Sequence, residues 1–159
     1  MSAIIATIEN CPITLHDDGS VTYTAKAAVD TDGIGPHHGD PCAQSDTSLH
    51  RDGHPLNADE DIYIVVPPAI IAGVGPVVLG CKAHVRNPRN GRETDAVVGD
   101  IGPHKKIGEI SVACARAVGI NPSPTSGGED AHVIEYQLWP GVPAEVNGVT
   151  YALQPSSAR

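Results

Sequence analysis

The chain has no phenylalanine, one tryptophan and only four tyrosines among its 159 residues. Its core must therefore be built from Val, Ile, Ala and Leu, because the aromatic side chains that fill many cores are scarce. With 17 Gly and 14 Pro, tight connections must be numerous, which favours a β-rich or mixed small barrel over a helical bundle. We expect one domain over residues 1–159, since this length suits a single hydrophobic core.

Basic residues are also few. Ten Lys and Arg stand against 19 Asp and Glu, which gives a net charge of −9 with neutral histidines. Such a surface repels nucleic acid and attracts cationic ligands. No apolar run is long enough to cross a membrane, so neither nucleic acid nor a membrane is an expected partner. The first ten residues lack the basic start and long apolar core of a signal peptide, which leaves the localisation open.

The four cysteines include no CxxC pair, which argues against a structural zinc site. Cys81 falls in a predicted strand and Cys114 on the apolar face of a predicted helix. We therefore expect both to be buried small hydrophobic residues. Sequence spacing does not decide whether Cys11 and Cys42 form a disulfide.

Short runs rich in β-branched residues alternate with Gly and Pro, which predicts a mostly β chain. The predicted strands cover residues 2–9, 20–28, 62–67, 77–85, 94–98, 133–138 and 149–153. Hairpin turns are expected at residues 16–19 and 87–92, the second because it contains Asn-Gly. Residues 111–118 form the predicted helix, and the tail at 155–159 is expected to fray.

Residues 96–120 bring two carboxylates together. Asp100 leaves the end of a buried strand, a turn is expected over residues 99–103 with Gly and Pro on both sides, and Glu109 precedes the helix nine residues later. We expect the turn to fold both acids towards one cleft. The alternative is structural, because Asp beside Gly often caps a turn and Glu before a helix often complements its dipole.

The acidic segment 29–61 has almost no apolar periodicity, and a loop this long in a small domain is usually functional or disordered. Its sequence Asp30-Thr31-Asp32-Gly33 is similar to the start of a calcium loop, although the later ligands of an EF-hand are missing. A cation held by Asp30, Asp32 and Asp40 therefore stays an alternative. We expect the histidines of this segment to be solvated loop residues rather than metal ligands. These are His37, His38, His50 and His54.

Three segments together resemble glycoside hydrolase family 75, the fungal-type endo-chitosanases. The strongest is AVVGDIGPHKKIGEIS followed by ACARAVGIN, which is similar to the family's GDxGP…KIGE stretch. Supporting segments are 56–58 with 61–67, and 29–33 with 45–47, so that the resemblance covers roughly residues 29–141. The essential Asp and Glu of the family motif fall on Asp100 and Glu109.

A looser resemblance concerns the fold. An Asp-x-Gly-Pro turn, a short link, an acid, Ser and a helix ending in Gly-Ile is similar to double-psi β-barrels of lytic transglycosylases and expansins. This resemblance implies a mainly β chain with a six-stranded double-psi β-barrel-like domain and one or two short helices.

The family resemblance implies an enzyme that hydrolyses internal β-1,4 bonds of chitosan, a cationic glucosamine polymer, with inversion. An inverting glycosidase needs one carboxylic acid and one carboxylate base. We assign the acid to Glu109, because apolar Ile107 and Ile110 should raise its pKa. The base is then Asp100, which we expect to stay ionised among backbone N–H groups of its turn, and the reversed assignment stays an alternative.

The expected substrate contacts come from the acidic segment: Asp30, Asp32, Asp46 and Thr47. We expect no cofactor, no metal and a monomer that acts on an extracellular polysaccharide. Three other classes stay open. They are a lytic enzyme acting on peptidoglycan, a non-catalytic polysaccharide-binding barrel, and a structural or assembly protein that uses the acidic segment for calcium or a partner.

Overall fold

The structure, a computed structural model, describes residues 1–156, so the last three residues of the tail expected to fray lie outside it. The chain is mainly β, with 44% strand and 8% helix. The strands are β1 (Ala3–Ile8), β2 (Cys11–Leu15), β3 (Val21–Asp30), β4 (His50–Arg51), β5 (His54–Pro55), β6 (Tyr63–Val66), β7 (Cys81–Asn87), β8 (Arg92–Ile101), β9 (Glu109–Ser111), β10 (Glu129–Pro143), β11 (Glu145–Val146) and β12 (Val149–Thr150). The helices are α1 (Pro68–Val74) and α2 (Val112–Ala117).

Six strands close a barrel in the order β3-β10-β7-β8-β6-β9, with β9 pairing back onto β3. The β3–β9 and β6–β8 pairs are parallel and the other four are antiparallel. The first half of the barrel is β3, β6 and β7, and the second half is β8, β9 and β10. Exchanging β3 with β8, β6 with β9 and β7 with β10 gives the same neighbours, so the barrel has a pseudo-twofold arrangement in which strands of the two halves alternate. The predicted mainly β, six-stranded double-psi-like barrel with two short helices is confirmed.

The core is aliphatic, as the composition predicts, with two tyrosine rings inside the barrel. Tyr23 and Tyr136 are cross-strand partners whose rings stack with centroids 4.8 Å apart. Cys81 and Cys114 are fully buried, as predicted, and burial raises the pKa of each thiol to about 12. Both Cys11, which is buried, and Cys42, which is exposed, are free thiols.

The amino-terminal hairpin differs from the prediction. Cys11–Leu15 is a separate strand, β2, that pairs with both β1 and β3. The chain reverses before it at Glu9 and Asn10, which both have positive φ angles of 52° and 62°. Pro12 obscured this strand in the sequence. The pairing of β2 with β3 covers only Thr14 and Leu15, so β2 has an open side at Pro12, where a residue without an N–H is tolerated.

Other boundaries also differ. The seven residues after Pro67 form α1, which was not predicted, although Pro68 at its first turn is a common helix start. The strand expected at 77–85 begins at Cys81 instead. The strand expected at 149–153 is limited to β12, which pairs with β11 outside the barrel. Neither described helix has the length and apolar character needed to span a membrane.

Helix α2 agrees closely with the predicted helix at 111–118. Ser111 is its N-cap, and the Ser111 hydroxyl accepts a hydrogen bond from the backbone N–H of Cys114. Gly119 follows the helix with φ of 70°, the left-handed conformation that commonly ends helices. The Ser111 hydroxyl also donates to the Asp61 carbonyl, which fixes the helix against the end of the acidic segment.

Candidate active site

Asp100 and Glu109 lie on either side of Val65. Strand β6 runs between β8 and β9, and Val65 pairs with Asp100 on one side and with Glu109 on the other. Residues directly opposite one another in a sheet point to the same face, and adjacent strands are about 4.8 Å apart. The two acids therefore share a face, with backbones about 10 Å apart.

Gly99 determines which way Asp100 points. In the β6–β8 pair, Ile64 is opposite Val98 but Val65 is opposite Asp100, so Gly99 is the extra residue of a β-bulge. Without the bulge, Asp100 would point to the other face, because side chains alternate along a strand. A Cβ atom on Gly99 would lie 2.7 Å from the Tyr63 Cβ, so only glycine fits here.

The link between the acids departs in part from the predicted turn. We expected the chain to turn from Gly99 onwards, but β8 continues to Ile101 and the turn begins at Gly102. A Cβ atom on Gly102 would lie 2.7 Å from Oε2 of Glu109, so this glycine lets the carboxyl approach the backbone. Glu109 itself starts strand β9 rather than only preceding the helix.

The acidic segment packs over this face of the sheet. Its first two residues end strand β3, and beyond them its regular structure is the small β4–β5 hairpin. Gly33 has φ of 116°, and a Cβ atom there would lie 1.9 Å from the Leu56 carbonyl oxygen, so the segment crosses itself closely at this glycine. The side chain of Thr47 holds the same crossing, because its hydroxyl donates to the Leu49 carbonyl and accepts from the Leu56 N–H.

The segment and the strands enclose a cleft of about 650 Å³. The cleft brings together all six site residues predicted from the sequence, with Val65 between the two acids. The six are Asp30, Asp32, Asp46, Thr47, Asp100 and Glu109.

Asp100 is only 7% exposed and is held through one oxygen. Its Oδ1 accepts hydrogen bonds from the Ser48 N–H and hydroxyl, each at 2.9 Å, and from the Ile101 N–H at 3.0 Å. Burial raises the pKa of Asp100 to about 7, with a further rise from Asp32, although the Ser48 hydrogen bonds oppose it. The backbone donors expected around Asp100 are present, but burial outweighs them. The pKa of Asp100 is therefore raised, whereas we expected it to stay low.

Asp30 is anchored in the same way. Its Oδ2 accepts a 2.7 Å hydrogen bond from the Tyr63 hydroxyl. Burial raises the pKa of Asp30 to about 8, and the neighbouring Asp32 charge adds to the effect. Asp32 Oδ1 accepts from the Gln44 N–H at 2.8 Å. Each of the three aspartates thus uses one oxygen for the scaffold.

Glu109 has a raised pKa as predicted, and the main cause is burial. The positive charges of Lys106 and Lys26 oppose the rise, while Asp32 adds to it. Lys106 also lines the cleft, whereas the Lys26 ammonium donates to the Ile107 carbonyl and pairs with Glu9. Glu109 is therefore the carboxyl of the cleft that faces cationic side chains.

One group of carboxylates could hold a cation. Single oxygens of Asp30, Asp32 and Asp100 lie within 4.8 Å of one another. Asp40, the third ligand of the calcium alternative, is not in this group, because its carboxylate accepts from the Thr31 hydroxyl and the Cys42 N–H. Carboxylate oxygens suit Ca²⁺ or an ammonium group.

The histidines of the segment are not in this group. Among the described residues, His38 pairs with Asp59, His50 pairs with Asp46, and a His37 ring nitrogen donates to the Gly33 carbonyl. His54 is exposed.

Two of the predicted contact residues differ from the rest. Asp46 is exposed at the rim, where its Oδ1 accepts from the Thr47 N–H and from His50. The Thr47 hydroxyl makes two scaffold hydrogen bonds and is buried, so Thr47 shapes the cleft rather than offering a free hydroxyl.

Three residues of the site were not predicted: Ser48, Tyr63 and Lys106. Ser48 directly follows the 45–47 segment that carries part of the resemblance. Tyr63 is the one side chain of a buried apolar strand that carries a hydroxyl, and a buried tyrosine usually has a hydrogen-bond partner. That rule could have identified Tyr63 as a donor, but it could not have named Asp30 as the acceptor.

No protein-family model matches the chain, and no curated protein matches it either.

Proposed function

We propose that the protein is a glycoside hydrolase that cleaves internal β-1,4 bonds of chitosan with inversion, using Glu109 and Asp100. The placement of these two acids on either side of Val65 in one cleft carries the proposal. Two carboxyls facing each other across a groove are what hydrolysis of a glycosidic bond requires.

The spacing supports inversion. Inverting enzymes keep their carboxyls about 6.5–9.5 Å apart so that a water molecule fits between one carboxylate and the sugar. Backbones about 10 Å apart on one face leave room for such a gap, with Val65 as the floor. A retaining pair, at about 5 Å, would be expected from residues on adjacent rather than alternate strands.

In the proposed step, the protonated Glu109 carboxyl donates its proton to the glycosidic oxygen as the bond from that oxygen to C1 breaks. The free Oδ2 of Asp100 takes a proton from a water molecule, whose oxygen forms the new bond to C1 from the opposite face. Glu109 ends as a carboxylate and Asp100 ends protonated, and solvent restores both. Oδ1 of Asp100 stays hydrogen-bonded to Ser48 and Ile101 throughout, which keeps Oδ2 in place.

The aspartate group supports a cationic substrate. An ammonium group of glucosamine near Asp30, Asp32 and Asp100 would replace like-charge repulsion with attraction. It would lower the pKa of Asp100 from about 7, so that substrate binding itself ionises the base. This reconciles a raised pKa in the free protein with the role of a base.

The test is reducing-end release from chitosan, chitin and peptidoglycan, measured side by side for the wild type and for Glu109→Gln. We expect hydrolysis of chitosan alone, loss of it in the variant, and initial products in the α-anomeric form by NMR. Asp95→Asn, which removes a carboxylate from strand β8 outside the cleft, is the control and should retain activity.

Each alternative predicts a different outcome. Cleavage of peptidoglycan only would indicate a lytic enzyme acting on bacterial walls. Binding of a polysaccharide without cleavage would indicate a non-catalytic module. Loss of folding on chelation would indicate that a cation, rather than the substrate, occupies the aspartate group.

A further inference from the structure

The cleft does not end at the acid pair. A second cavity of about 460 Å³ adjoins it, and Ser48, Ile101 and Gly102 line both. Because Ser48 and Ile101 hold Asp100, a polymer chain running from the cleft into this second cavity would pass directly over the proposed base. We call the second cavity the neutral lobe.

The two cavities differ in charge. The cleft is lined by six carboxyl groups and by Lys106. Among the described residues, the neutral lobe has no carboxylate, and its polar lining consists of Ser48, His104, Gln154 and Ser156. A glucosamine ammonium bound there would lose hydration without gaining a counter-charge, which is unfavourable.

The remaining lining of the neutral lobe is apolar. Pro68 and Leu79 are buried, and Ile101 is partly buried beside them. Gln154 is not free to bind an ammonium, because its amide donates to the Ser48 carbonyl and its oxygen accepts from the His50 N–H. This surface suits a neutral group with a methyl on one side and polar atoms on the other.

We propose that the neutral lobe is a subsite for an N-acetylated sugar, so that the preferred substrate is partly acetylated chitosan with glucosamine in the cleft. This inference rests on the proposed function and specifies its substrate. The acetamide methyl packs on Ile101, the partly buried apolar side chain of the lobe, while the uncharged amide needs no counter-ion. The acidic cleft selects glucosamine at the bond to be cleaved.

The test compares a fully deacetylated chitosan with a partly acetylated chitosan of matched length. Mass spectrometry of the products gives the position of each acetylated sugar relative to the new ends. For the wild type we expect higher kcat/KM on the partly acetylated polymer. We also expect acetylated sugars to be enriched at one fixed distance from the cleaved bond.

Ser156→Asp places a carboxylate in the neutral lobe, and Ser156→Asn is the matched uncharged control. Because an exposed ion pair contributes up to about 1 kcal/mol, Ser156→Asp should shift the ratio of the two kcat/KM values towards the deacetylated polymer by up to about fivefold. Ser156→Asn should leave the ratio unchanged. His104→Asp against His104→Asn repeats the comparison at a second, exposed position of the lobe.

The outcomes separate the two proposals. Hydrolysis of both polymers at equal kcat/KM, with acetylated sugars placed at random, would overturn the neutral-lobe subsite and leave the chitosanase intact. A shift of equal size in the Asn and Asp variants would also overturn it. If the wild type cleaves neither polymer, the proposed function fails and the subsite falls with it.

Discussion

Asp61 and Asp100 are both buried aspartates, 6% and 7% exposed, yet their surroundings differ in charge. Asp61 accepts from the Tyr151 hydroxyl at 2.6 Å and from the Asn57 N–H at 2.8 Å, and the Arg51 guanidinium lies 3.8 Å away. Asp100 has hydrogen-bond donors but no paired cation among residues 1–156, and its neighbours include the carboxylates of Asp30 and Asp32.

The difference separates a structural acid from the acid that we propose as the catalytic base. Asp61 has a positive charge nearby and the donors that a buried carboxylate needs, and its hydrogen bond to Tyr151 ties the segment after β12 to the acidic segment. In the part of the chain that the structure describes, Asp30, Asp32 and Asp100 have no such paired cation, and uncompensated groups of this kind cluster at functional sites. An external cation, such as a substrate ammonium, would supply what Arg51 supplies to Asp61.

The largest expected effect is on turnover. Asp100→Asn and Glu109→Gln should each reduce kcat by about 10²–10⁴-fold, because each removes one acid–base group. The double variant should be little worse than the poorer single variant, since the two groups act in one step. Steady-state kinetics on chitosan measures this, and Asp61→Asn is the control, with near-normal kcat for its folded fraction.

The roles are separable with a substrate that has a good leaving group. Such a substrate needs no proton donor, so it should restore activity to Glu109→Gln but not to Asp100→Asn. Rescue of Asp100→Asn instead would reverse the assignment. Normal kcat in both variants would end the hydrolase proposal.

The Asp61 and Asp100 variants should rank in the opposite order for stability, with the larger loss in Asp61→Asn. Asp61→Asn should lower the free energy of unfolding by about 1–3 kcal/mol, because it removes the charge opposite Arg51 and replaces one of the two accepting oxygens by an NH2 group, which leaves one buried donor unpaired. At pH 8, Asp100→Asn should change it little or raise it, because it removes an uncompensated buried charge. Urea unfolding of the two variants measures this. A larger loss for Asp100→Asn would show that Asp100 is structural.

The cleft acids should also make stability depend on pH. The pKa of Asp100 rises from 3.8 to about 7 and that of Asp30 from 3.8 to about 8. The folded state therefore holds these protons more tightly than the unfolded state. Their stabilising contribution is complete below about pH 4 and is lost as the pH rises through 7 to 8.

We expect the free energy of unfolding to fall between about pH 4 and pH 8, by at most about 1.4 kcal/mol per pH unit for each of the two groups. The double variant Asp30→Asn with Asp100→Asn should have a flatter profile than the wild type. Parallel profiles for the two proteins, measured by urea unfolding at several pH values, would contradict the raised pKa values.

The smallest effect concerns salt. Raising the ionic strength should increase KM for chitosan several-fold, because partly exposed charges are screened over about 8–10 Å. Neutralising Asp30, Asp32 or the exposed Asp46 should raise KM more than it lowers kcat, with Asp46 having the weakest effect. A KM that does not change with salt, together with loss of folding on chelation, would favour a bound cation at the aspartates.

Much of the site was predictable from local sequence. The Gly102-Pro103 turn predicted that Asp100 and Glu109 would meet, and they line one cleft. Ser111 and Gly119 predicted the two ends of helix α2. These features depend on a few neighbouring residues, whose backbone preferences act wherever the chain lies.

Long-range features were less predictable. The sequence did not indicate that Gly99 is a bulge, that Glu109 belongs to a strand, or that Ser48 donates to Asp100. Each depends on a partner 36 to 52 residues away in the sequence: Gly99 on Tyr63, Glu109 on Val65, and Ser48 on Asp100. Pairing across such distances leaves no periodic signal in the sequence.

The sequence by itself determined the composition and local structure of this protein: an aliphatic core, short strands with frequent turns, and an acidic segment together with an Asp and Glu motif. Only the tertiary structure decided the charge environment of each acid. Burial and neighbouring charges set a carboxyl pKa, and both depend on which strands meet. That is why Asp61 and Asp100, alike in the sequence, differ in the folded chain.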